Sequence, residues 1–259
     1  MKTKSLGFIG GGRITKILLQ AFKNNQISFD KIVVFDTNTE VLNMLKSRFP
    51  HITTTMDNLK DAASNEIVFV ALHPPMVMDT LSKIKDVLNN GTLLVSLAPK
   101  ITIEKMSAAL GGFSNLARMN PSASTIVSKG VNPVAFASGV SSDLKDNFLK
   151  IVQPLGYTPE IAESKMEAYA VISAMGHTYF FFQFQKLKEL AISFGMDETE
   201  AQTAISDMLW GTTETLFKSG MTYSEVADLV PVKPIGEVEE TIKGYYDQYL
   251  TGIYNKIKP

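Results

Sequence analysis

The sequence predicts an α/β amino-terminal domain with a doubly wound parallel sheet, followed by an all-α helical domain. Three observations support this fold class. Apolar strand-like runs alternate with helix-period segments in the first part of the chain, a glycine-rich turn follows the first of these runs, and long helix-period segments replace the alternation after about Gly156. We therefore divide the 259 residues into a first domain at 1–157 and a helical domain at 158–259.

The elements of the first domain are justified by apolar runs and by the turn residues between them. The first strand, at 5–10, leads through Gly12 into a helix at 15–24, and the second strand, at 31–36, ends in Asp36. Further strands are predicted at 67–72, 92–97 and 116–119, and further helices at 40–48, 76–88 and 103–110.

Three loops of this domain are predicted to form one crevice. Right-handed crossovers place 10–12, 72–75 and 97–99 at the carboxyl ends of their strands. Open α/β sheets bind ligands at that edge.

The second domain is predicted to consist of helices at 164–191, 197–218 and 238–257. The first of these helices is apolar nearly all round, and its apolar residues include Ala170, Ile172, Met175, Tyr179, Phe180, Phe181, Phe182 and Phe184. Such a helix needs burial on more than one side, which favours a homodimer formed through this domain. The alternative is a central core helix inside a monomer.

Composition excludes several classes of function. Lys and Arg number 25 against 26 for Asp and Glu, so the chain has no basic excess for nucleic acid. No apolar run is long enough for a membrane span, and residues 1–5 lead into a strand instead of a signal peptide, so we expect a cytoplasmic protein. The chain has no Cys and only three His, His51, His73 and His177, too scattered for a metal site. Any catalysis would therefore depend on a bound cofactor.

The glycine turn predicts a dinucleotide site of the Rossmann type. Gly10 can take the tight turn, Gly12 lets backbone approach a pyrophosphate, and the next helix offers unpaired N–H groups. Thr15 occupies the third position of the glycine frame, where Gly or Ala is usual, and a purely structural turn is the alternative. The predicted cofactor contacts are Gly10, Gly11, Gly12, Arg13, Ile14, Asp36, Thr37, Asn58, Ala71, Leu72, His73, Pro74 and Ala98.

The choice between NAD and NADP is left open by the sequence. Asp36 would accept hydrogen bonds from the adenosine ribose and repel a 2′-phosphate, which favours NADH. Thr37 and Asn38 would accept a phosphate if the carboxylate turned away, and Arg13 would neutralise either phosphate. His73 is interpreted as a cofactor contact at a strand end, with a partly exposed surface residue as the alternative.

The ordered motifs resemble those of the pyrroline-5-carboxylate reductase family over nearly the whole chain. The matching segments are Gly7-Phe-Ile-Gly-Gly-Gly12, Phe69-Val-Ala-Leu-His-Pro74, Ser96-Leu-Ala-Pro-Lys-Ile-Thr102, Arg118-Met-Asn-Pro-Ser122 with Gly130, Glu163-Ser-Lys-Met-Glu167, Ile172-Ser-Ala-Met-Gly-His-Thr-Tyr179 and Lys233-Pro-Ile-Gly-Glu-Val238. The resemblance implies a nucleotide-binding domain, an interlocked helical dimerisation domain, and NAD(P)H-dependent reduction of a cyclic imine to proline.

The chain departs from the family in the two motifs that hold the substrate carboxylate. Met175 and His177 replace a serine and a proline, Lys233 replaces another serine, and Glu237 with Val238 replaces paired threonines. The resemblance places His177, Lys233 and Glu237 at the substrate, with His177 as proton donor and Glu237 repelling a carboxylate or recognising an imine nitrogen. The alternatives are a helix histidine and solvated loop charges.

Three functions follow from this pattern. The first is an NAD(P)H-dependent reductase of a small imine, most like pyrroline-5-carboxylate. The second is a reductase of a different imine or carbonyl compound on the same fold. The third is a non-catalytic nucleotide-binding regulatory dimer. Imine reduction needs no conspicuous catalytic dyad, because the cofactor supplies the redox chemistry.

Overall fold

The computed structural model describes residues 5–259, which form two units. The α/β unit comprises the residues up to Met175 together with Tyr254–Pro259, and the helical unit is Gly176–Ile253. The domain boundary at 157/158 stays a prediction. Residues 1–4, part of the argument against a signal peptide, lie outside the described residues.

A seven-stranded sheet forms the centre of the α/β unit. Its strands, with two short strands of a separate pair, are β1 (Ser5–Ile9), β2 (Lys31–Phe35), β3 (Thr53–Thr55), β4 (Ile67–Val70), β5 (Leu93–Ser96), β6 (Leu116–Met119), β7 (Gly130–Val131), β8 (Val134–Phe136) and β9 (Gly156–Tyr157). The order in the main sheet is β3-β2-β1-β4-β5-β6-β8. All pairs are parallel except β6 with β8, so the predicted doubly wound sheet is confirmed.

Helices cover the sheet and make up the second unit. They are α1 (Arg13–Asn24), α2 (Thr39–Arg48), α3 (Leu59–Ala63), α4 (Pro74–Ile84), α5 (Ile103–Ala109), α6 (Ser142–Val152), α7 (Met166–Tyr169), α8 (His177–Ser193), α9 (Glu198–Lys218), α10 (Tyr223–Asp228) and α11 (Glu239–Ile257). Within residues 5–259, none of these helices has the length and apolarity that a membrane crossing requires.

Several predicted boundaries are wrong, and each has a local cause. The first strand ends at Ile9 because Gly10 adopts a positive φ of 105°. The helix predicted at 76–88 begins at Pro74, where proline suits the first turn, and ends at Ile84. The helix predicted at 164–191 is interrupted by a π-helical turn at Ala170–Ala174.

The core of the α/β unit occupies both faces of the sheet. Successive strand residues alternate between two buried clusters: Phe8 and Phe69 belong to one, and Ile9 and Val70 to the other. The rings of Phe8 and Phe69 stack with centroids 5.0 Å apart. The loops of the predicted crevice therefore extend from strands that are buried on both faces.

The helical unit has almost no core of its own. Among its residues only Gly176 and Ala201 are buried. Large apolar side chains are exposed on all four of its helices and on the loop before α11, including Phe181, Phe182, Met208, Trp210, Phe217, Tyr223, Leu229, Val232, Ile235, Tyr245 and Tyr249. The apolar helix therefore is not buried inside this unit.

Candidate functional site

The predicted cofactor residues lie in loops at the carboxyl edge of the sheet. The glycine loop follows β1, Asp36 and Thr37 follow β2, and Asn58 follows β3. The segment 71–74 follows β4, and Ala98 follows β5. The three loops of the predicted crevice thus share one edge of adjacent strands, while the cofactor contacts themselves stay predictions.

The glycine loop makes a turn that only glycine tolerates at its first position. Gly10 has a φ of 105°, and a Cβ there would overlap the carbonyl oxygen of Ala71. Its backbone N–H donates to the carbonyl of Phe35 at 2.8 Å. Gly10 is therefore fixed by the contacts between β1, β2 and β4.

Gly12 differs from Gly10, because the position that a side chain would occupy at Gly12 is open space. A Cβ at Gly12 would meet no atom within 4 Å, and its φ of −69° is open to any residue. Gly12 is the N-cap of α1, which has no side-chain cap, so the first N–H groups of the helix, including those of Arg13 and Ile14, lack intrahelical acceptors. An open helix N-terminus of this kind binds phosphate groups.

Thr15, the imperfect member of the glycine frame, is explained by a buried hydrogen bond. Its Oγ1 donates to the carbonyl of Gly10 at 2.5 Å, and the residue is fully buried. The hydroxyl therefore stabilises the turn through this hydrogen bond.

Asp36 is held against the glycine loop. Its Oδ2 accepts from the N–H of Gly11 at 2.7 Å, and its Oδ1 accepts from the N–H of Asn38 at 2.8 Å. Asn38 caps α2 with its own side-chain oxygen, and Thr37 is exposed between them. Two backbone hydrogen bonds therefore fix the orientation of the Asp36 carboxylate.

The remaining predicted contacts vary in exposure. His73 is the exposed N-cap of α4 and makes no capping bond with its ring, and Pro74 is the first residue of that helix. Ala71 and Leu72 are half-buried, whereas Ala98 is buried. Asn58 is exposed and uses its side chain to cap α3, accepting from Asp61 N at 3.1 Å.

A buried ion-pair network at the end of β6 was not predicted. The Arg118 side chain donates from Nη1 to Glu163 Oε1 at 3.1 Å and from Nη2 to Glu167 Oε1 at 2.6 Å. Arg118 is 1% exposed and Glu167 is 3% exposed. The sequence shows all three residues inside motifs, but no spacing signal pairs residues that are 45 and 49 positions apart.

The three predicted substrate contacts lie in the helical unit. His177 begins α8, and its ring is tilted against that of Phe181, with centroids 5.9 Å apart. Lys233 lies in the loop before α11 and lines a cavity of about 950 Å³, whereas Glu237 is exposed and His177 half-buried, and neither lines this cavity. Their contacts to substrate stay predictions.

The large cavity of the helical unit is mainly apolar, with a few titratable groups. Tyr179, Phe182, Ile242, Tyr246 and Tyr249 are among its lining residues. Partial burial, with a smaller contribution from Tyr246, raises the pKa of Tyr179, so its phenol stays neutral. The Lys243 ammonium holds the pKa of Glu239 below its usual range.

Two models of known protein families match this chain, one near each end. A model described as "NADP oxidoreductase coenzyme F420-dependent" matches residues 5–100, and one described as "Pyrroline-5-carboxylate reductase dimerisation" matches residues 163–246. A pyrroline-5-carboxylate reductase of Methanosarcina acetivorans is 24% identical over 254 residues, 98% of this chain and 92% of the relative.

Solved structures show the same fold over nearly the full length. The Plasmodium falciparum pyrroline carboxylate reductase with NADP bound has a TM-score of 0.79 at 19% identity, covering 98% of this chain and 95% of that chain. A Coxiella burnetii pyrroline-5-carboxylate reductase has a TM-score of 0.70 at 23% identity, covering 99% and 95%.

The parallel strand order, the glycine loop and the open helix N-terminus define a protein of the doubly wound, dinucleotide-binding class. Within that class, the match at residues 163–246 and the long curated relatives all carry the name pyrroline-5-carboxylate reductase. The chain resembles the pyrroline-5-carboxylate reductase family in its carboxy-terminal match, in a full-length relative of 24% identity and in its fold.

Proposed function

We propose that this protein is an NAD(P)H-dependent oxidoreductase that reduces the C=N bond of pyrroline-5-carboxylate to give proline. The observation that carries the proposal is the open cradle at Gly12, at the N-terminus of α1, in a chain whose relatives of this name align over nearly its full length. Those relatives support pyrroline-5-carboxylate as the substrate. The open space at Gly12 and the uncapped N-terminus of α1 support a dinucleotide cofactor.

The residues present fit a dinucleotide. Gly12 and the uncapped N–H groups of α1 would hold the pyrophosphate, and Asp36 would accept from the adenosine ribose. When bound, the nicotinamide supplies the hydride that imine reduction requires. The protein's part is to fix the reacting groups, exclude water and deliver a proton to nitrogen.

The predicted substrate contacts give that proton delivery a candidate donor. The side chain of His177 would donate a proton to the imine nitrogen, since histidine is the side chain most often used as a general acid. The ammonium of Lys233 would attract a substrate carboxylate that Glu237 repels. These roles rest on motif position, and each residue is testable by substitution.

We also propose that NADH is preferred over NADPH. The carboxylate of Asp36 is fixed by the N–H groups of Gly11 and Asn38, so a 2′-phosphate would meet a negative charge that has no low-cost way to move. A ratio of NADH to NADPH turnover at or below one would contradict this argument.

We propose that the helical unit assembles the protein as a homodimer. Its aromatic side chains are exposed in the single chain, with Phe182 at 68% and Trp210 at 69%. Exposed apolar surface on this scale marks an interaction surface. The match to a dimerisation domain supports a second copy of the chain as the partner. A cytoplasmic location and the absence of nucleic-acid partners stay predictions.

A second candidate is the reduction of a different imine or of a carbonyl compound. It is favoured by the charges at Lys233 and Glu237, where the family has hydroxyl groups, because a charged pair would recognise a different substituent pattern. A panel of cyclic imines and 2-oxo acids, assayed beside pyrroline-5-carboxylate, would rank the substrates by kcat/KM.

The test of the main proposal is NADH and NADPH oxidation with pyrroline-5-carboxylate, with cofactor binding measured in parallel by calorimetry. We expect turnover in the wild type and, for Gly12→Ala, a cofactor Kd raised at least about tenfold, because the new methyl group enters open space needed by the phosphates. The protein should keep its fold.

Gly91→Ala is the matched control. Gly91 lies before β5, at the amino edge of the sheet, and only the Asn89 side chain approaches it. This variant should bind and turn over like the wild type. Cofactor binding without turnover on any substrate would leave the regulatory dimer as the function, and absence of cofactor binding would overturn the proposal.

A further inference from the structure

A small cavity of about 160 Å³ lies within the α/β unit beyond the ends of β5 and β6. Its lining includes Ala98, Pro99, Arg118, Asn120 and Glu167. Two of these side chains carry buried donors without an acceptor among the described residues, namely Arg118 Nε and Asn120 Nδ2. Buried donors normally have partners, so the cavity calls for a ligand with a hydrogen-bond acceptor.

The charges around the cavity favour a neutral ligand over an anion. The guanidinium of Arg118 is already bound by the carboxylates of Glu163 and Glu167. The three groups together carry one excess negative charge, and a carboxylate placed here would be repelled. Glu167 binds Arg118 through Oε1, which leaves its second oxygen to accept from a neutral N–H donor.

The size and position of the cavity match one end of a dinucleotide. A cavity of about 150 Å³ holds a single six-membered ring such as benzene. Dinucleotides lie across the point where the strand order reverses, here between β1 and β4. Because Asp36 places the adenosine half on the β2 side, the nicotinamide half would extend toward β5 and β6.

We propose that this cavity takes the carboxamide of the nicotinamide and that Asn120 binds it. Asn120 Nδ2 donates to the carboxamide oxygen, and the carboxylate of Glu167 accepts from the carboxamide NH₂. The inference rests on the proposed function. It assigns a role to the Asn120 side chain, whose buried donor the proposed function leaves unused.

The test is the variant Asn120→Leu, which has a similar volume and no donor. Because the variant removes an unpaired buried group, it should fold normally, as melting curves would verify. Calorimetric titration with NADH should show a Kd raised about fivefold to thirtyfold, whereas ADP-ribose, which lacks the nicotinamide, should bind as it does to the wild type.

A cofactor analogue separates the hydrogen bond from a packing effect. Reduced thionicotinamide adenine dinucleotide replaces the carboxamide oxygen with sulfur, a weaker acceptor. It should bind the wild type more weakly than NADH does, and that difference should disappear in Asn120→Leu.

Three outcomes would overturn the inference. Equal weakening of NADH and ADP-ribose would show a structural role for Asn120, unchanged NADH binding would show no contact, and an effect confined to the KM of the imine would assign the cavity to the substrate. If the wild type bound neither NADH nor ADP-ribose, the proposed function itself would fail. The two failures are therefore distinguishable.

Discussion

The α/β unit and the helical unit are both rich in apolar residues, but they bury them very differently. In the α/β unit Phe8, Phe69 and Phe148 are fully buried. In the helical unit Phe182 is 68% exposed and Phe217 is 77% exposed. The α/β unit buries its large apolar side chains in a core of its own. The helical unit exposes large apolar side chains of the kind that a core normally contains.

The difference separates two contributions to function. A unit with a complete core can position loops, and the loops at its carboxyl edge form the proposed cofactor site. A unit that lacks a core needs cover from another molecule, because a helix cannot keep a wide apolar face in water without cost. We therefore expect cofactor binding and assembly to respond to different substitutions.

The largest effect is expected from a charge placed on the helical unit. Phe182→Asp puts a carboxylate into the apolar surface of α8 and, in a dimer, would bury it unpaired. We expect the dimer Kd to rise by at least about a thousandfold. Sedimentation velocity over a range of protein concentrations would measure the change.

The control is Met44→Asp, a matched substitution in the other unit. Met44 lies on α2 and is 56% exposed, comparable to Phe182. The control should remain a dimer. Equal dissociation in both variants, or none in either, would contradict the assignment of the helical unit as the assembly surface.

A second, smaller effect is expected inside the α/β unit. Arg118→Met leaves Glu167 buried without its cation and should lower the free energy of unfolding by about 3–5 kcal/mol. Urea denaturation would measure this loss. Lys83→Met, which removes the exposed pair with Asp79, should cost about 0.5 kcal/mol or less. Similar losses in the two variants would show that burial of the Arg118 network is not decisive.

The smallest effect is expected at an exposed helix cap. Glu225 accepts from the N–H of Thr222 at 2.7 Å and from its hydroxyl at 2.8 Å, and these bonds lower the pKa of Glu225. Because the folded pKa is lowered, this stabilisation is present above the ordinary carboxyl pKa and is lost as pH falls through the lowered value.

Thr222→Val keeps the backbone donor and removes the hydroxyl. The pKa of Glu225 should rise part of the way to its ordinary value, and the melting temperature at neutral pH should fall by about 3 °C or less. A carboxyl-carbon NMR titration would follow Glu225, with Thr53→Val on the exposed edge strand as control. An unchanged pKa would show that the backbone N–H alone is responsible.

Much of the sheet could be predicted from the sequence because buried parallel strands are continuous apolar runs. The runs that became β1, β2, β4, β5 and β6 were all predicted. Strand β3 was missed because its three residues are all threonine, and β7, β8 and β9 are two or three residues long. Short or polar edge strands have no periodic signal and form by pairing with a strand already in place.

The candidate site divides in the same way. The places of Gly10, Gly12 and Asp36 at strand ends could be predicted from local sequence, whereas their cofactor contacts stay predictions. Arg118 and Asn120 could not, because the burial and partners of their side chains depend on segments far away in the sequence. The hydrogen bond from Thr15 to Gly10 was not predicted, because glycine or alanine was expected at position 15.

The most direct test of the account is sedimentation velocity of the wild-type protein with NADH, recorded at the absorbance of the protein and at that of reduced nicotinamide. We expect both signals to move together, with a particle of twice the 28.5 kDa mass of the chain. A particle of single-chain mass would contradict the assembly surface, and a nicotinamide signal left behind in solution would contradict the cofactor site.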